Sequence, residues 1–171
     1  MKNIVFTFVL FLTFGLSTFA FNPEPTDCKE ILAVNFENKN VKGFEAAKID
    51  KRLHVLMIAK RLKTAAASTI YKGENQTVYL TLHTLQEIDG ESVYSVKVNG
   101  KLIGEVVNTK IYNTQIKDYT VEKHTLNTKK ILLKKGDVIQ VEFTNATNGF
   151  VPEGSLTATA RGRWKSLQIC K

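Results

Sequence analysis

The sequence predicts an all-β protein whose antiparallel strands form a sandwich or a barrel. Two observations indicate this class. From Glu74 onward, short runs alternate apolar and polar residues, which is the period of a strand that buries one face. Turn signals rich in glycine, asparagine and aspartate separate these runs, and many short strands with closely spaced turns favour sandwiches and barrels. No internal repeat or low-complexity linker interrupts the pattern.

Residues 1–20 are expected to be an export signal. Lys2 precedes the apolar run IVFTFVLFLTFGL, and the small residues of STFA offer a cleavage site after Ala20. The run is too short for a membrane helix, and no cluster of charges follows it. We therefore expect a secreted, periplasmic or cell-surface protein. Its mature chain, residues 21–171, is expected to be a single domain without a transmembrane segment.

Cys28 and Cys170 are the only cysteines of the chain. An oxidising compartment would permit a disulfide between them, with two free thiols as the alternative. The disulfide requires the first and last strands to lie side by side, because the two Cα atoms must come within about 7 Å.

The formal net charge of the chain is +8, of which Lys2 in the signal supplies one. A basic exported domain is attracted to anionic polymers or to a cell surface through its long-range field. Ordinary solvation is the alternative, because no block of five or six like charges occurs. Export and the lack of helix-turn-helix or zinc-finger spacing argue against nucleic acid.

Several segments carry clear strand and turn signals. In TVYLTLHTL, residues 77–85, apolar and polar side chains alternate. The runs on either side of Asn99-Gly100 predict a hairpin, because this dipeptide accepts the positive φ angles of a type I′ turn. KKGD at 134–137 predicts a turn between two further strands, and TNATNGFVPEGS at 144–155 predicts a loop.

Residues 44–67 are ambiguous. The segment consists of good helix formers with apolar side chains at near-helical spacing, yet HVLMIA at 54–59 also fits a buried strand. We expect a strand at 54–59, with one short helix between residues 44 and 64 as the alternative.

The stretch TARGRWKSLQIC near the C-terminus gathers two arginines and the only tryptophan. Up to Trp164, the apolar and small residues of this strand stand at even-numbered positions. After it, the apolar residues Leu167 and Ile169 stand at odd-numbered positions, so the face that points inward changes. A β-bulge near Lys165-Ser166 would produce that change. It would leave Arg161 and Arg163 on one side, pointing away from the core.

The turn QEIDGES places Glu87, Asp89 and Glu91 at alternate positions, so three carboxylates are expected to point the same way. Like charges so close repel unless cations or hydrogen bonds intervene. Arg161 and Arg163 would supply the cations in a structural network or a ligand site. Bound calcium would use the carboxylate oxygens instead, and a fully solvated turn would need neither.

Other candidate residues carry weaker signals. Tyr119, His124 and Asn148 are expected to line the same edge if their loops converge there. Trp164 is either a core residue or a contact for a sugar ring. No catalytic motif occurs, and the histidines at 54, 83 and 124 lack metal-ligand spacing. We therefore expect no catalytic residue and no metal site built on histidine.

Five pieces of the chain together resemble a known class of module. In order they are EIDGESVYSVKVNGKLIGEV, DYTVEKHTL, LKKGDVIQVEF, TNGFVPEG and ARGRWKSLQI. They resemble the non-catalytic, galactose-binding-like carbohydrate-binding modules of exported bacterial polysaccharide-degrading proteins, over residues 71–169. The resemblance implies a jelly-roll β-sandwich of two antiparallel sheets, with its termini on neighbouring strands. It also implies sugar recognition by end loops or by a concave face.

We therefore expect an exported, non-catalytic carbohydrate-binding β-sandwich, with an acidic polysaccharide as its ligand and a separate carbohydrate-active enzyme as a further partner. Arg161 and Arg163 would contact anionic groups. The carboxylates of the QEIDGES turn would orient the arginines or accept hydrogen bonds from sugar hydroxyls. A structural or adhesion sandwich without a sugar site is one alternative, and a small polysaccharide lyase or glycoside hydrolase is the other. The hypothesis needs no cofactor, although calcium would fit the acidic turn.

Overall fold

The computed structural model describes residues 27–59, 63–111, 119–149 and 159–171. Within them the chain forms eleven strands and one 3-10 turn (Ala33–Asn35). The strands are β1 (Cys28–Leu32), β2 (Glu45–Asp50), β3 (Val55–Ile58), β4 (Thr64–Ile70), β5 (Gln76–Leu85), β6 (Val93–Val98), β7 (Lys101–Val107), β8 (Val121–Thr125), β9 (Ile131–Leu133), β10 (Val138–Thr144) and β11 (Trp164–Cys170). The predicted export signal and most of the predicted 144–155 loop lie outside the described residues.

The strands form two sheets of a β-sandwich, which confirms the predicted fold class. The first sheet runs β8, β5, β11, β3 and β2, with β1 also paired to β11 and β9 also paired to β5. The second sheet runs β7, β6, β10 and β4. Strand β2 connects them, because its first two residues pair in parallel with β4 and the rest pair with β3. That short parallel contact departs from the all-antiparallel prediction.

The core lies between the two sheets and is centred on Trp164. The Trp164 ring has no exposed surface and packs edge-on against Phe36 and Phe143, at centroid distances of 4.9 and 6.0 Å. Leu80 and Leu167 of the first sheet are also fully buried. Edge-to-face aromatic packing adds to the hydrophobic stabilisation of such a core.

Two local predictions are confirmed. Asn99 and Gly100 both have positive φ angles, of 50° and 79°, and they connect β6 to β7 as the I′ hairpin requires. In β11, Trp164 is paired with Thr84 and Ser166 with His83, so Lys165 is the extra residue of a β-bulge. The bulge changes the inward parity where the sequence predicted that change.

The short helix considered for residues 44–64 is not present in the described part of that segment. Strand β2 replaces it, and β3 confirms the strand expected at 54–59. All four β3 residues are buried, because the strand lies between β2 and β11. Tertiary pairing thus overrides the helix propensity of the segment.

The predicted disulfide is confirmed. Cys28 and Cys170 are directly paired on the adjacent antiparallel strands β1 and β11, with their Cα atoms 4.1 Å apart and their sulfurs bonded. The bond links residues 142 positions apart and so joins the two ends of the domain.

Candidate functional site

Glu87 is the centre of the candidate site. Its side chain has no exposed surface, and its carboxylate faces the segment that precedes β11. The amide of Arg161 donates to both carboxylate oxygens, at 3.1 and 3.0 Å, and the amide of Arg163 donates to one of them at 3.0 Å. The Arg163 guanidinium donates to the other through Nη1. A buried carboxylate is acceptable in this position because four hydrogen bonds and one cation compensate its lost hydration.

Arg163 connects Glu87 to two further parts of the chain. Its Nε lies 3.4 Å from Oδ2 of Asp50 at the end of β2. Its guanidinium carbon lies 4.8 Å from the centre of the Tyr119 ring, which is within cation–π range. Asp50, Glu87, Tyr119 and Arg163 are called the Arg163 cluster below.

The pKa values in the Arg163 cluster are shifted by two opposing effects. Burial disfavours the charged form of each group, whereas charged and hydrogen-bonded partners favour it. Burial raises the pKa of Glu87, and this outweighs the opposing effects of Arg163 and the backbone amides. Burial also raises the pKa of Tyr119. For Asp50, burial is outweighed by hydrogen bonds from the turn amides and by Arg163, so its pKa is lowered. The guanidinium of Arg163 keeps its charge, because Glu87 raises its pKa against the effect of burial.

The turn after Glu87 packs tightly on the loop after β10. A Cβ on Gly90 would lie 2.4 Å from the backbone of Ala146, so only glycine fits there. Asn148 donates from Nδ2 to the carbonyl of Ile88 and to the carboxylate of Glu91, at 3.1 and 2.9 Å. The structure thus brings Glu91 and Asn148 together, as the sequence predicted for residues of one edge.

Gly162 connects the two amides that bind Glu87, and it provides a stability test. Its φ angle is +58°, and an added Cβ would lie 2.9 Å from the carbonyl oxygen of Thr144. Gly100 has φ +79° but open space around it. We expect Gly162→Ala to reduce the free energy of unfolding by about 1–3 kcal/mol more than Gly100→Ala, because only Gly162 adds a clash to the left-handed strain. Denaturant unfolding of both variants measures the difference; equal losses would contradict the packing described.

Three charged side chains border the Arg163 cluster and reach solvent. Arg161 is exposed beside Glu87, and Asp89 is partly exposed and interacts electrostatically with both Glu87 and Tyr119. Arg52 is exposed in the β2–β3 turn, and its guanidinium carbon lies 5.8 Å from the centre of the Tyr119 ring. Arg52, Asp89 and Arg161 are called the rim below. Among the described residues, no hydrogen bond or ion pair occupies any of these three charged groups.

The two predicted arginines therefore differ in role. The sequence placed Arg161 and Arg163 together on one outward face, and the structure corrects this. The Arg163 side chain is only 12% exposed and is neutralised by Glu87 and Asp50. Arg161 alone presents its guanidinium to water. The predicted meeting of the acidic turn with the arginines does occur, but through Glu87 and Arg163.

His124 is not a direct part of the Arg163 cluster. Its Nε2 lies 3.1 Å from Oγ1 of Thr84, which donates to Oδ1 of Asn108 at 2.6 Å. Asn108 contacts the hydroxyl of Tyr94, and that hydroxyl donates to the carbonyl of Arg163. The predicted edge therefore includes His124 only through this chain of hydrogen bonds.

Trp164 offers no surface to an external ligand, because its side chain is fully enclosed in the core. The interpretation of Trp164 as a sugar contact is therefore wrong, and its alternative as a core residue is confirmed. Tyr119 is half-buried, and its ring already has two guanidinium groups over it. Among the nine predicted site residues, Arg161 and Asp89 are the best placed to meet an external ligand.

Arg163 is the cation that neutralises Glu87. The carboxylates of the acidic turn diverge, since Glu87 turns inward to Arg163 and Glu91 turns to Asn148. In the described part of the chain, no three side chains among histidine, cysteine, aspartate and glutamate are grouped to hold a metal ion.

Asp50 and Arg52 are site residues that no sequence motif indicated. Oδ1 of Asp50 accepts from the amides of Arg52 and Leu53 at 3.1 and 3.2 Å, which is how aspartate initiates a turn. The run DKRLH carries that turn signal, but it lies inside the segment whose secondary structure was ambiguous. The proximity of Asp50 to Arg163 depends on a contact across more than one hundred residues, which no local pattern indicates.

Solved structures of other proteins share this fold. The CBM36-1 domain of a multidomain xylanase from the hindgut metagenome of Trinervitermes trinervoides matches with a TM-score of 0.53 and 11% identity. The match covers 85% of this chain and 98% of that domain. The Cry4Aa toxin of Bacillus thuringiensis matches with a TM-score of 0.52 and 9% identity, over 84% of this chain and 23% of that one. No sequence-family model and no curated protein matches the chain.

These likenesses show the fold. The chain is a β-sandwich of the type found in carbohydrate-binding modules, as the resemblance in the sequence implied. Within the described residues, no helix is both long enough and apolar enough to cross a bilayer.

Proposed function

We propose that this chain is an exported, non-catalytic carbohydrate-binding module that binds an acidic polysaccharide through the rim. The single observation that carries the proposal is the exposed guanidinium of Arg161, which no described residue pairs with, on a backbone that the buried Glu87 holds in place. The backbone amide of Arg161 is held by the buried Glu87, and the neighbouring Arg163 is neutralised by Glu87 and Asp50. A guanidinium presented in this way is suited to carboxylate or sulfate groups, because its planar donors match their oxygens.

The other two rim residues support recognition of a sugar. Asp89 supplies carboxylate oxygens that can accept from sugar hydroxyls. Arg52 supplies a second cation, close to the aromatic ring of Tyr119. A site on loops that a buried ion pair holds in place loses little conformational entropy when a ligand binds.

The disulfide supports the proposed export. Disulfides such as Cys28–Cys170 persist in oxidising compartments and are rare in the cytosol. Export also agrees with the predicted signal at residues 1–20. A separate carbohydrate-active enzyme would be the natural partner of a non-catalytic module acting on the same polysaccharide.

Affinity measurements on a glycan panel test the proposal. The panel contains a sulfated galactan, an alginate and a neutral xylan, each measured with calcium and with a chelator. We expect binding to at least one anionic glycan and weaker binding to xylan. No binding to any glycan at millimolar sugar would contradict the proposal. Release of reducing ends or of unsaturated uronate during the same incubations would favour an enzyme instead.

Arg161→Ala tests the contact assigned to the rim. We expect roughly tenfold weaker binding to the anionic glycan, which corresponds to about 1.4 kcal/mol for a lost charge-assisted contact. Lys101→Ala is the matched control, since it removes one exposed positive charge at the opposite end of β6 and β7. Equal losses in the two variants would indicate general charge attraction and no specific site.

A further inference from the structure

The inference concerns what holds the rim in place. The backbone of Arg161 is tied to Glu87 by its amide, and Gly162 then passes close to the Thr144 carbonyl. Arg163 ties the same carboxylate through its amide and its side chain. The Glu87 carboxylate therefore holds both amides of the 161–163 segment, which lies just before β11. The carbonyls of the same segment accept hydrogen bonds from the amides of Ile58 and Leu85, each at 2.9 Å.

We propose that Glu87 is a positioning residue for the rim, and that proton uptake by Glu87 weakens carbohydrate binding in mildly acidic solution. This inference rests on the proposed function. An ionised carboxylate accepts from both amides and from Arg163. A protonated one is a weaker acceptor, and its hydroxyl hydrogen must share the space with the N–H donors that surround the carboxyl group. The amides of Arg161 and Arg163 then have a weaker partner, which loosens the backbone that carries the Arg161 side chain.

The surroundings of Glu87 favour its protonation at a higher pH than that of an ordinary glutamate. The charged and titratable groups that interact with it are Arg163 and Asp89, Tyr94 of β6, and Tyr119 before β8, with Asp50 behind Arg163. Burial outweighs the cation, so the pKa of Glu87 lies above 4.5. Binding is therefore expected to begin to weaken at a higher pH than the one at which an ordinary glutamate titrates, and to stay weak at lower pH.

Protonation of Glu87 can be distinguished from unfolding by its effect on the free energy of unfolding. Because folding raises the pKa of Glu87, the folded chain takes up this proton more readily than the unfolded chain. Protonation of Glu87 thus adds no global instability as the pH falls through its folded value. Trp164 is the only tryptophan and lies in the core, so its fluorescence reports whether the domain remains folded during the titration.

General electrostatics predicts the opposite trend. As the pH falls, the protein becomes more positive, and attraction to a polyanion rises. A sulfated galactan oligosaccharide is the suitable probe, because its sulfate groups stay charged from about pH 8 to about pH 4. Binding that weakens with acid while the protein stays folded therefore identifies a local change at the rim.

The experiment combines two readouts on the wild-type protein. Amide proton–nitrogen spectra follow Arg161 and Arg163 across the pH range, and calorimetry measures affinity for the sulfated oligosaccharide. We expect both amides to shift with one shared midpoint above 4.5, and affinity to fall roughly tenfold through it. Amides that do not shift together, a midpoint at or below 4.5, or an affinity that is constant or rises with acid would overturn the inference.

Two variants complete the design. Glu87→Gln keeps the size of the side chain and does not titrate, so binding should be weaker and should no longer fall as the solution becomes acidic. Glu105→Gln removes an exposed carboxylate on β7 and should leave the wild-type pH profile unchanged. If no glycan binds at any pH, the proposed function fails, and the amide titration still decides whether Glu87 holds the 161–163 segment.

Discussion

Replacing Arg163 by alanine is expected to lower the free energy of unfolding by about 3–5 kcal/mol. The variant leaves the Glu87 carboxylate buried without its cation, and it also removes the link from Glu87 to Asp50 and Tyr119. Breaking a buried pair by removing one partner is costly because the remaining charge stays desolvated. Denaturant unfolding followed by Trp164 fluorescence measures the loss.

Arg161→Ala is the control for this variant. It also replaces an arginine by alanine, two residues away, but at an exposed position. We therefore expect the free energy of unfolding to change by no more than about 0.5 kcal/mol. The two variants distinguish a structural role from a ligand-binding role. Arg163→Ala should lower stability, and Arg161→Ala should weaken binding. Similar losses of stability in both would mean that the two arginines share the structural role, against the geometry.

Removing the disulfide is the second change with a large expected effect. The double variant Cys28→Ala/Cys170→Ala should lose about 5 kcal/mol of unfolding free energy, because the bond closes a loop across nearly the whole described domain. Typical domains are stable by only about 5–15 kcal/mol, so this variant should be close to unfolded when warmed. Unfolding in guanidinium chloride measures the loss, provided that the spectra of the folded variant match those of the wild type.

Reduced wild-type protein provides the comparison for the disulfide variant. Its unfolding midpoint in a thiol reductant should approach that of the double variant. A domain whose midpoint is the same with and without the bond would show that β1 holds to β11 by pairing alone. In that case the joined termini would follow from the fold and not from the covalent link.

Local patterns predicted much of the fold. The Asn99-Gly100 hairpin depends on two adjacent residues, and the bulge at Lys165 depends on a change of parity within one strand. Both are properties of a few neighbouring positions, so the sequence displays them directly. The stretch Val55–Ile58 was harder, because four consecutive buried residues fit a central strand and a buried helix equally well.

The candidate site was predicted in part, for a physical reason. Alternation identified Glu87, Arg161 and Arg163 as unusual, and the structure brings them together. It did not reveal which arginine is buried, because that depends on Asp50 and Tyr119, which reach Arg163 from distant parts of the chain. Such long-range neighbours decide whether a charged side chain supports a fold or faces a ligand.

Mapping the bound ligand on the isotope-labelled protein tests the central claim most directly. A short oligosaccharide of the best-binding anionic glycan is titrated while backbone amide shifts are recorded. The account predicts that the largest shifts fall on Arg52, Asp89 and Arg161, with smaller shifts at the buried Glu87. Shifts concentrated at the opposite end of the sandwich, around the Asn99-Gly100 turn, or no shifts at saturating sugar would contradict it.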